Sequence, residues 1–171
     1  MELSELIRVR RSIRSYEDRP VEAEKIRTLL ELVNLAPSAG NLQAYEIYRV
    51  TAARTRAALA HAANQSFIAH APLILVFCAN PGRSARKYGR RGKELYALQD
   101  ATIAATYAML AAADLGLSTV WIGAFDDAAV TAAVAAPVDW TPVAVLPIGY
   151  AAEMPEASPR RSLEELVHPM S

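Results

Sequence analysis

At 171 residues and 18.5 kDa, the chain has the size of a single domain, residues 1–171, and can bury roughly 70% of its unfolded surface. With 53% hydrophobic and 21% charged residues it is neither disordered nor an acidic tail. Its 18 Lys+Arg balance 18 Asp+Glu, so no overall positive field draws in nucleic acid or an anionic membrane, and little charge repulsion opposes a homo-oligomer.

Residues 2–10 read as a short helix with Leu3, Leu6 and Ile7 on one face. Arg10–Pro20 is charged and turn-like. A strong helix is expected over Val21–Leu35, where Ile26, Leu29, Leu30 and Val33 recur at helical spacing. Residues 36–41, Ala-Pro-Ser-Ala-Gly-Asn, form a loop, and Tyr45–Val50 alternates as a strand does. Thr51 is placed to cap a helix over 52–62. Leu73–Cys78 is a continuous apolar run, as in a central buried strand. Asn80–Gly92 reads as a basic loop carrying Arg83, Arg86, Lys87, Arg90 and Arg91. Lys93–Leu115 is the longest expected helix, apolar on nearly every face from Ala101 onward, and Gly116 suits its C-terminus. An all-round apolar helix in so small a domain points to cover from a second subunit. Ser118–Ile122 is an expected strand, residues 126–134 a helix capped by Asp126 or Asp127, and Val143–Ile148 another strand. Residues 151–161 are proline-rich and extended, and Leu163–Val167 is a final helical turn. Strands separated by helices make an α+β or α/β arrangement.

The single cysteine, Cys78, excludes an intramolecular disulfide and reads as a small buried hydrophobe. His61, His70 and His168 lie in no metal-ligand spacing, so no metal is expected. No GxSxG, GxxxxGK[ST] or GxGxxG is present. The opening MELSELIRVRRS has no apolar core of signal-peptide length, and the longest apolar stretch, Ala101–Ala113, is shorter than the roughly 20 residues that span a bilayer. A cytoplasmic protein is the expectation. With no acid, base or nucleophile set in view, reactivity is expected from a cofactor. Three segments could hold one. Residues 10–16, Arg-Arg-Ser-Ile-Arg-Ser-Tyr, bring guanidinium forks and hydroxyls suited to phosphate. Residues 37–43, Pro-Ser-Ala-Gly-Asn-Leu-Gln, offer uncharged donors and acceptors suited to an amide-rich ring edge. Residues 116–125 end a strand in Gly-Ala, where a ligand can approach the backbone.

The order and spacing of these segments, with RRSIRSYEDRPVEAEKIRTLLE, APSAGNLQ, ALQDATIAATYAMLAAADLGLSTVWIGAF and PIGYAAEMPEASPRRSLEELVH, resemble the FMN-dependent nitroreductase family over residues 3–168. The resemblance implies an α+β fold, a central sheet flanked by helices, with two FMN sites at a homodimer interface. Arg10 and Ser12 match phosphate and ribityl contacts, with Arg11 beside them. Arg14 matches a cation near the pyrimidine end of the flavin. Pro37, Ser38, Ala39 and Asn41 match a loop that reaches the flavin from the partner subunit. Asn64 or Gln65 matches a polar contact to the ring edge. Ile122, Gly123 and Ala124 match a strand end beside flavin N5, and Arg160 and Arg161 a late phosphate contact. Two positions depart from the family pattern: Gln43-Ala44-Tyr45 stands where Gln-Pro-Trp is usual, and Gly123 where an acidic residue is frequent.

The implied activity is hydride transfer from NADH or NADPH to a small electrophilic acceptor, with no catalytic side chain assigned. Other readings are a flavin store or sensor without turnover, a flavin-fragmenting or dehalogenating member of the superfamily, and a nucleic-acid or partner-binding module using Arg83–Arg91.

Overall fold

Leu73–Ala79 is buried at every position and forms strand β2 in a computed structural model that describes residues 2–170. Side chains of a strand alternate between faces, so a strand apolar throughout must be covered on both. Four strands make one antiparallel sheet in the order β1-β2-β4-β3, from Tyr45–Val50 (β1), Ser118–Thr119 (β3) and Thr141–Gly149 (β4). Tyr45 faces Ala79 and Val50 faces Ile74 across β1 and β2; Leu73 faces Ile148 across β2 and β4, with an irregularity at Phe77/Cys78.

The alternation divides the core in two. Leu73, Leu75 and Phe77 face one way, with Ala144, Leu146 and Ile148, against helices α2 (Ala23–Val33) and α5 (Ala97–Asp114). Ile74, Val76 and Cys78 face the other way, with Val145, against α3 (Ala53–Ala62), α6 (Asp127–Val134) and the residues Ile13 and Tyr16. A short helix α1 (Leu3–Val9) precedes these layers. The α5 face toward the sheet is built of alanine: Ala97, Ala101, Ala104, Ala105, Ala108 and Ala112 are fully buried, so its backbone lies close to β2 and β4. Gly116, at φ 73°, ends it as expected.

Several expectations need correction. The Asn80–Gly92 segment is not a loop. Pro81–Arg91 is helix α4, with Pro81 in its first turn and the Asn80 side chain accepting from Arg83 N; it breaks at Gly89 (φ 56°, ψ −136°). Gly92–Tyr96 then runs as a π-type turn into α5 without a break, so the long helix expected from Lys93 is present, its first residues in π rather than α geometry. Ala52, not Thr51, takes the cap position of α3. Asp126 is the α6 cap, accepting from Ala129 N at 2.7 Å.

The strand expected over Ser118–Ile122 is reduced to Ser118–Thr119, and Ile122 rejoins β4 through two backbone bonds with Val145. Pro147 explains the gap. Val145 bonds toward β3, so Pro147, two residues on, faces the same edge and has no N–H to donate opposite Val120. Its carbonyl instead accepts from the Tyr16 hydroxyl at 3.2 Å. In the single chain α5 is buried on its sheet side, and Leu98, Thr102, Thr106 and Tyr107 are exposed on the other. Every residue from Ala152 to Met170 is exposed, including the short helix α7 (Leu163–Leu166).

Candidate functional site

The N-terminal signature, the strand-end motif and the start of the C-terminal segment converge. Ser12 bridges Thr119 in parallel, Ile13 N donates to Thr119 O at 3.1 Å, Tyr16 bridges Ala151, and Ala152 N donates to Ser15 O. Between them lies a cleft of about 260 Å³ lined by Arg10, Arg11, Ser118, Thr119, Glu153 and Met154, among others. Within it Arg10 Nη1 and Thr119 Oγ1 are both buried without a hydrogen-bond partner. Such groups cost about 1–3 kcal/mol each unless something satisfies them. Burial, then the like charges of Arg160 and Arg11, lower Arg10 below the ordinary arginine value. Cations held together at that cost beside a cleft, one of them with a buried N–H that has no partner, suit a bound dianion.

The arginines divide by partner. Arg11 turns back to the carbonyls of Arg8 and Arg10 at 2.6 and 3.0 Å, so its guanidinium closes the end of α1. Arg160 exerts its charge on Arg10, whereas Arg161 engages Glu165, to its carbonyl at 2.9 Å and its carboxylate at 3.5 Å. Arg14 is exposed and is held through its backbone: its N–H and that of Ser15 donate to Glu153 Oε1 at 2.5 and 3.1 Å. Glu153, which sequence reasoning passed over, thus joins the first and last motifs. Burial pushes the Tyr16 phenol up, with the Glu153 charge adding, so Tyr16 stays neutral while donating to Ile13 O at 2.7 Å.

The Pro37–Asn41 loop lies elsewhere in the chain and lines no part of that cleft. Its anchor is Asp100, to which sequence reasoning gave no role. Asp100 is almost fully buried on α5 and accepts from Ala39 N at 2.8 Å and Ala44 N at 3.3 Å. Ser38 Oγ accepts from Gln43 N at 2.9 Å, and Asn41 Oδ1 from Gln43 Nε2 at 2.6 Å. Gly40, Asn41 and Gln43 all have positive φ, at 57°, 56° and 43°. Two non-glycine residues in that region store strain of about 1–3 kcal/mol each, as happens where a loop is shaped for a ligand. Gly40 is favoured by its positive φ, and the Tyr88 hydroxyl and Lys87 Nζ of α4 close over it.

Asn64 and Gln65 form a third location, at the end of α3. Asn64 is exposed at φ 51°, and Gln65 N donates to Ala60 O at 3.0 Å. They share a surface groove with His61, Ser66 and His70, and not with the Arg10 cleft. Ile122 is buried; Gly123 and Ala124 are exposed, with backbone N–H groups that have no partner among the described residues. No group of three metal-ligating side chains exists among the described residues, and no described helix is long and apolar enough to cross a membrane.

One chain therefore presents three partial surfaces. Comparison with known proteins gives their context. The model of the nitroreductase family matches residues 7–67 and 59–150. An NADH dehydrogenase of Thermus thermophilus is 32% identical, over 92% of this chain and 91% of its own. An FMN reductase [NAD(P)H] of Bacillus subtilis is 33% identical, over 92% of this chain and 69% of its own. The solved NADPH:FMN oxidoreductase of Vibrio harveyi, complexed with NAD+, superposes with a TM-score of 0.89 at 29% identity, over 99% of this chain and 77% of its own. A match spanning the converging motifs and both faces of the sheet leaves one assignment: the chain belongs to the nitroreductase family.

Proposed function

We propose that the protein is an FMN-dependent oxidoreductase that carries hydride from NADH or NADPH to an electrophilic acceptor such as a nitro compound, quinone or enone, the two substrates using one pocket in turn. The observation that carries this reading is the Arg10–Thr119 cleft, with two buried unsatisfied polar groups and the Arg160 charge beside them. These residues fit the phosphate of FMN: Arg10 supplies a desolvated fork, Thr119 a hydroxyl, Arg160 further charge, and Ser12 a neighbouring hydroxyl. Bound FMN would supply two-electron hydride chemistry at its N5 atom. The chain's own part is positioning and charge. Gly123 and Ala124 offer free backbone N–H groups to a ring edge, and Arg14 offers a cation that stabilises an electron-rich pyrimidine end.

The same reading takes residues 1–171 as one domain acting as a homodimer. A cleft of about 260 Å³ is below the roughly 300–1,000 Å³ of ordinary cofactor sites. The Pro37–Asn41 loop and the Asn64–Gln65 corner stand apart from it, so a second copy would complete it with its own loop. Thr102 and Thr106 bond carbonyls of their own helix, both at 2.8 Å, which leaves the outer α5 face with Leu98 and Tyr107 effectively apolar.

The decisive experiment is the absorption spectrum of the purified protein and its anaerobic titration. Flavin bands that bleach with NADH or NADPH and return on adding a quinone or nitro compound are expected. Protein that binds no flavin would overturn the assignment; flavin that neither dinucleotide bleaches would make it a flavin store or sensor.

A further inference from the structure

The chain is neutral overall, yet residues 81–96 hold six cations, Arg83, Arg86, Lys87, Arg90, Arg91 and Lys93, against one carboxylate, Glu94. Glu94 is taken by Arg90 at 2.8 Å, and Arg91 donates to the Tyr96 hydroxyl at 3.0 Å. Before the break at Gly89, α4 is two-faced. Ser84 is buried and Tyr88 half-buried on the inner side; Arg83, Arg86 and Lys87 are exposed on the outer side, at the i, i+3 and i+4 positions of one turn. None of the three has an acidic partner among the described residues.

This face is fixed to the loop that the proposed function assigns to the cofactor. Arg83 Nε donates to Leu42 O, which leaves the two terminal nitrogens of its fork to serve a ligand. Lys87 Nζ lies 2.8 Å from where a Cβ on Gly40 would sit, and Tyr88 closes over the same glycine. Arg83 and Lys87 therefore stand directly beside the 39–42 turn, with Arg86 exposed on the same helical turn.

We propose that Arg83, Arg86 and Lys87 bind the ribose 2′-phosphate of NADPH and make the protein prefer it to NADH; this rests on the reading under Proposed function. A phosphate monoester concentrates about −1.5 to −2 charge on one group, whereas the pyrophosphate that both dinucleotides share spreads its charge over two linked phosphates. A single turn bearing two guanidinium forks and an ammonium matches the compact dianion. Both dinucleotides carry nicotinamide, so this face governs which one is held rather than the hydride step.

The test is titration calorimetry of the FMN-loaded protein with adenosine 2′,5′-bisphosphate and with AMP, followed by kcat/KM for NADPH and NADH. The bisphosphate should bind the wild type at least about tenfold more tightly than AMP, with the margin shrinking as salt rises. R86A/K87A should lose that margin, with the NADPH:NADH ratio of kcat/KM falling about tenfold. The charge-preserving R86K/K87R should keep both. Equal binding of the two nucleotides by the wild type, or an unchanged margin in R86A/K87A, would overturn the proposal. So would a single-stranded 12-mer oligonucleotide that binds more tightly than the bisphosphate and loses affinity in the same variant. The two readings fail separately. Flavin bleached equally by both dinucleotides, with no calorimetric margin, removes the role of α4 and leaves the oxidoreductase. A calorimetric margin with no bleaching by either removes the oxidoreductase and keeps the phosphate site.

Discussion

Arg10 gains most from a bound phosphate, because one of its nitrogens is buried and unpaired while neighbouring arginines repel it. Arg10→Ala should weaken FMN binding by about 1.5–3 kcal/mol, one to two decades in Kd, and leave the weaker binding of riboflavin nearly unchanged. Arg160→Ala should cost more FMN affinity than Arg161→Ala, since Arg161 is already engaged by Glu165. Fluorescence titration of both flavins reads this, and equal losses for FMN and riboflavin would detach Arg10 from the phosphate. Cys78 supplies a contrast. Burial, with Glu46 adding, pushes its thiol up to about 11, so at pH 8 roughly one molecule in a thousand carries the reactive thiolate. Native protein should not react with a disulfide reagent, and one thiol per chain should appear after denaturation. At Glu22 the Tyr150 hydroxyl, donating at 2.5 Å, is the largest cause holding the carboxyl at about 2, and the backbone and Arg19 add to it. The folded value lies below the unfolded one, so its stabilisation is present above about pH 4.5 and fades as pH falls through about 2. The gap in Tm between wild type and Glu22→Gln should close across that window. It should be small throughout, because the group is exposed.

At the scale of elements, α5 does two jobs. Its alanine face sets the helix close on the sheet, and Asp100 on that face holds the 39–44 backbone through two charge-assisted hydrogen bonds. Asp100→Ala would leave both N–H groups without their acceptor and free a loop with three residues at positive φ. We expect a loss of about 3 kcal/mol in denaturant unfolding, and about half that for Asp100→Asn, which keeps one acceptor oxygen. If the loop reaches a neighbouring flavin, Asp100→Asn also weakens FMN binding; unchanged FMN affinity beside lowered stability would confine Asp100 to folding. The basic segment was legible in the sequence as charge but not as helix. Propensity favours a loop where Gly82 and Gly89 flank polar residues, whereas Pro81 in the first turn and the Asn80 cap start a helix that Tyr88 docks over Gly40. Pro147 is the reverse case. It is plain in the sequence, but its effect on β3 depends on which edge it faces across the sheet.

For the molecule as a whole, one open apolar groove is lined by Leu3, Leu32, Leu35, Tyr107 and Leu110, with Leu35 exposed at 72%. An open apolar groove of this kind marks a contact surface. Sedimentation should give the mass of two chains, and Leu98→Asp with Tyr107→Asp should lower it to one while reducing FMN affinity. A wild-type monomer that stays folded and flavin-loaded would refute the shared site. Tm should also rise with protein concentration if two chains fold as one unit.

Much of the fold was legible from the chain alone, because period and composition are local properties. The β2 run, the stripe Ile26–Leu29–Val33, the Asp126 cap and Gly116 report directly on which faces are covered and where helices stop. The four motifs in order also carried the family, which the family model and the relatives bear out. What the sequence by itself could not decide are contacts between residues far apart in the chain. Asp100 reaching Ala39, Glu153 reaching Arg14, Arg160 repelling Arg10 and Pro147 interrupting β3 each join segments that only the folded sheet brings together. These contacts depend on the direction of a side chain and the edge of a strand, which packing of the two core layers sets and local pattern does not.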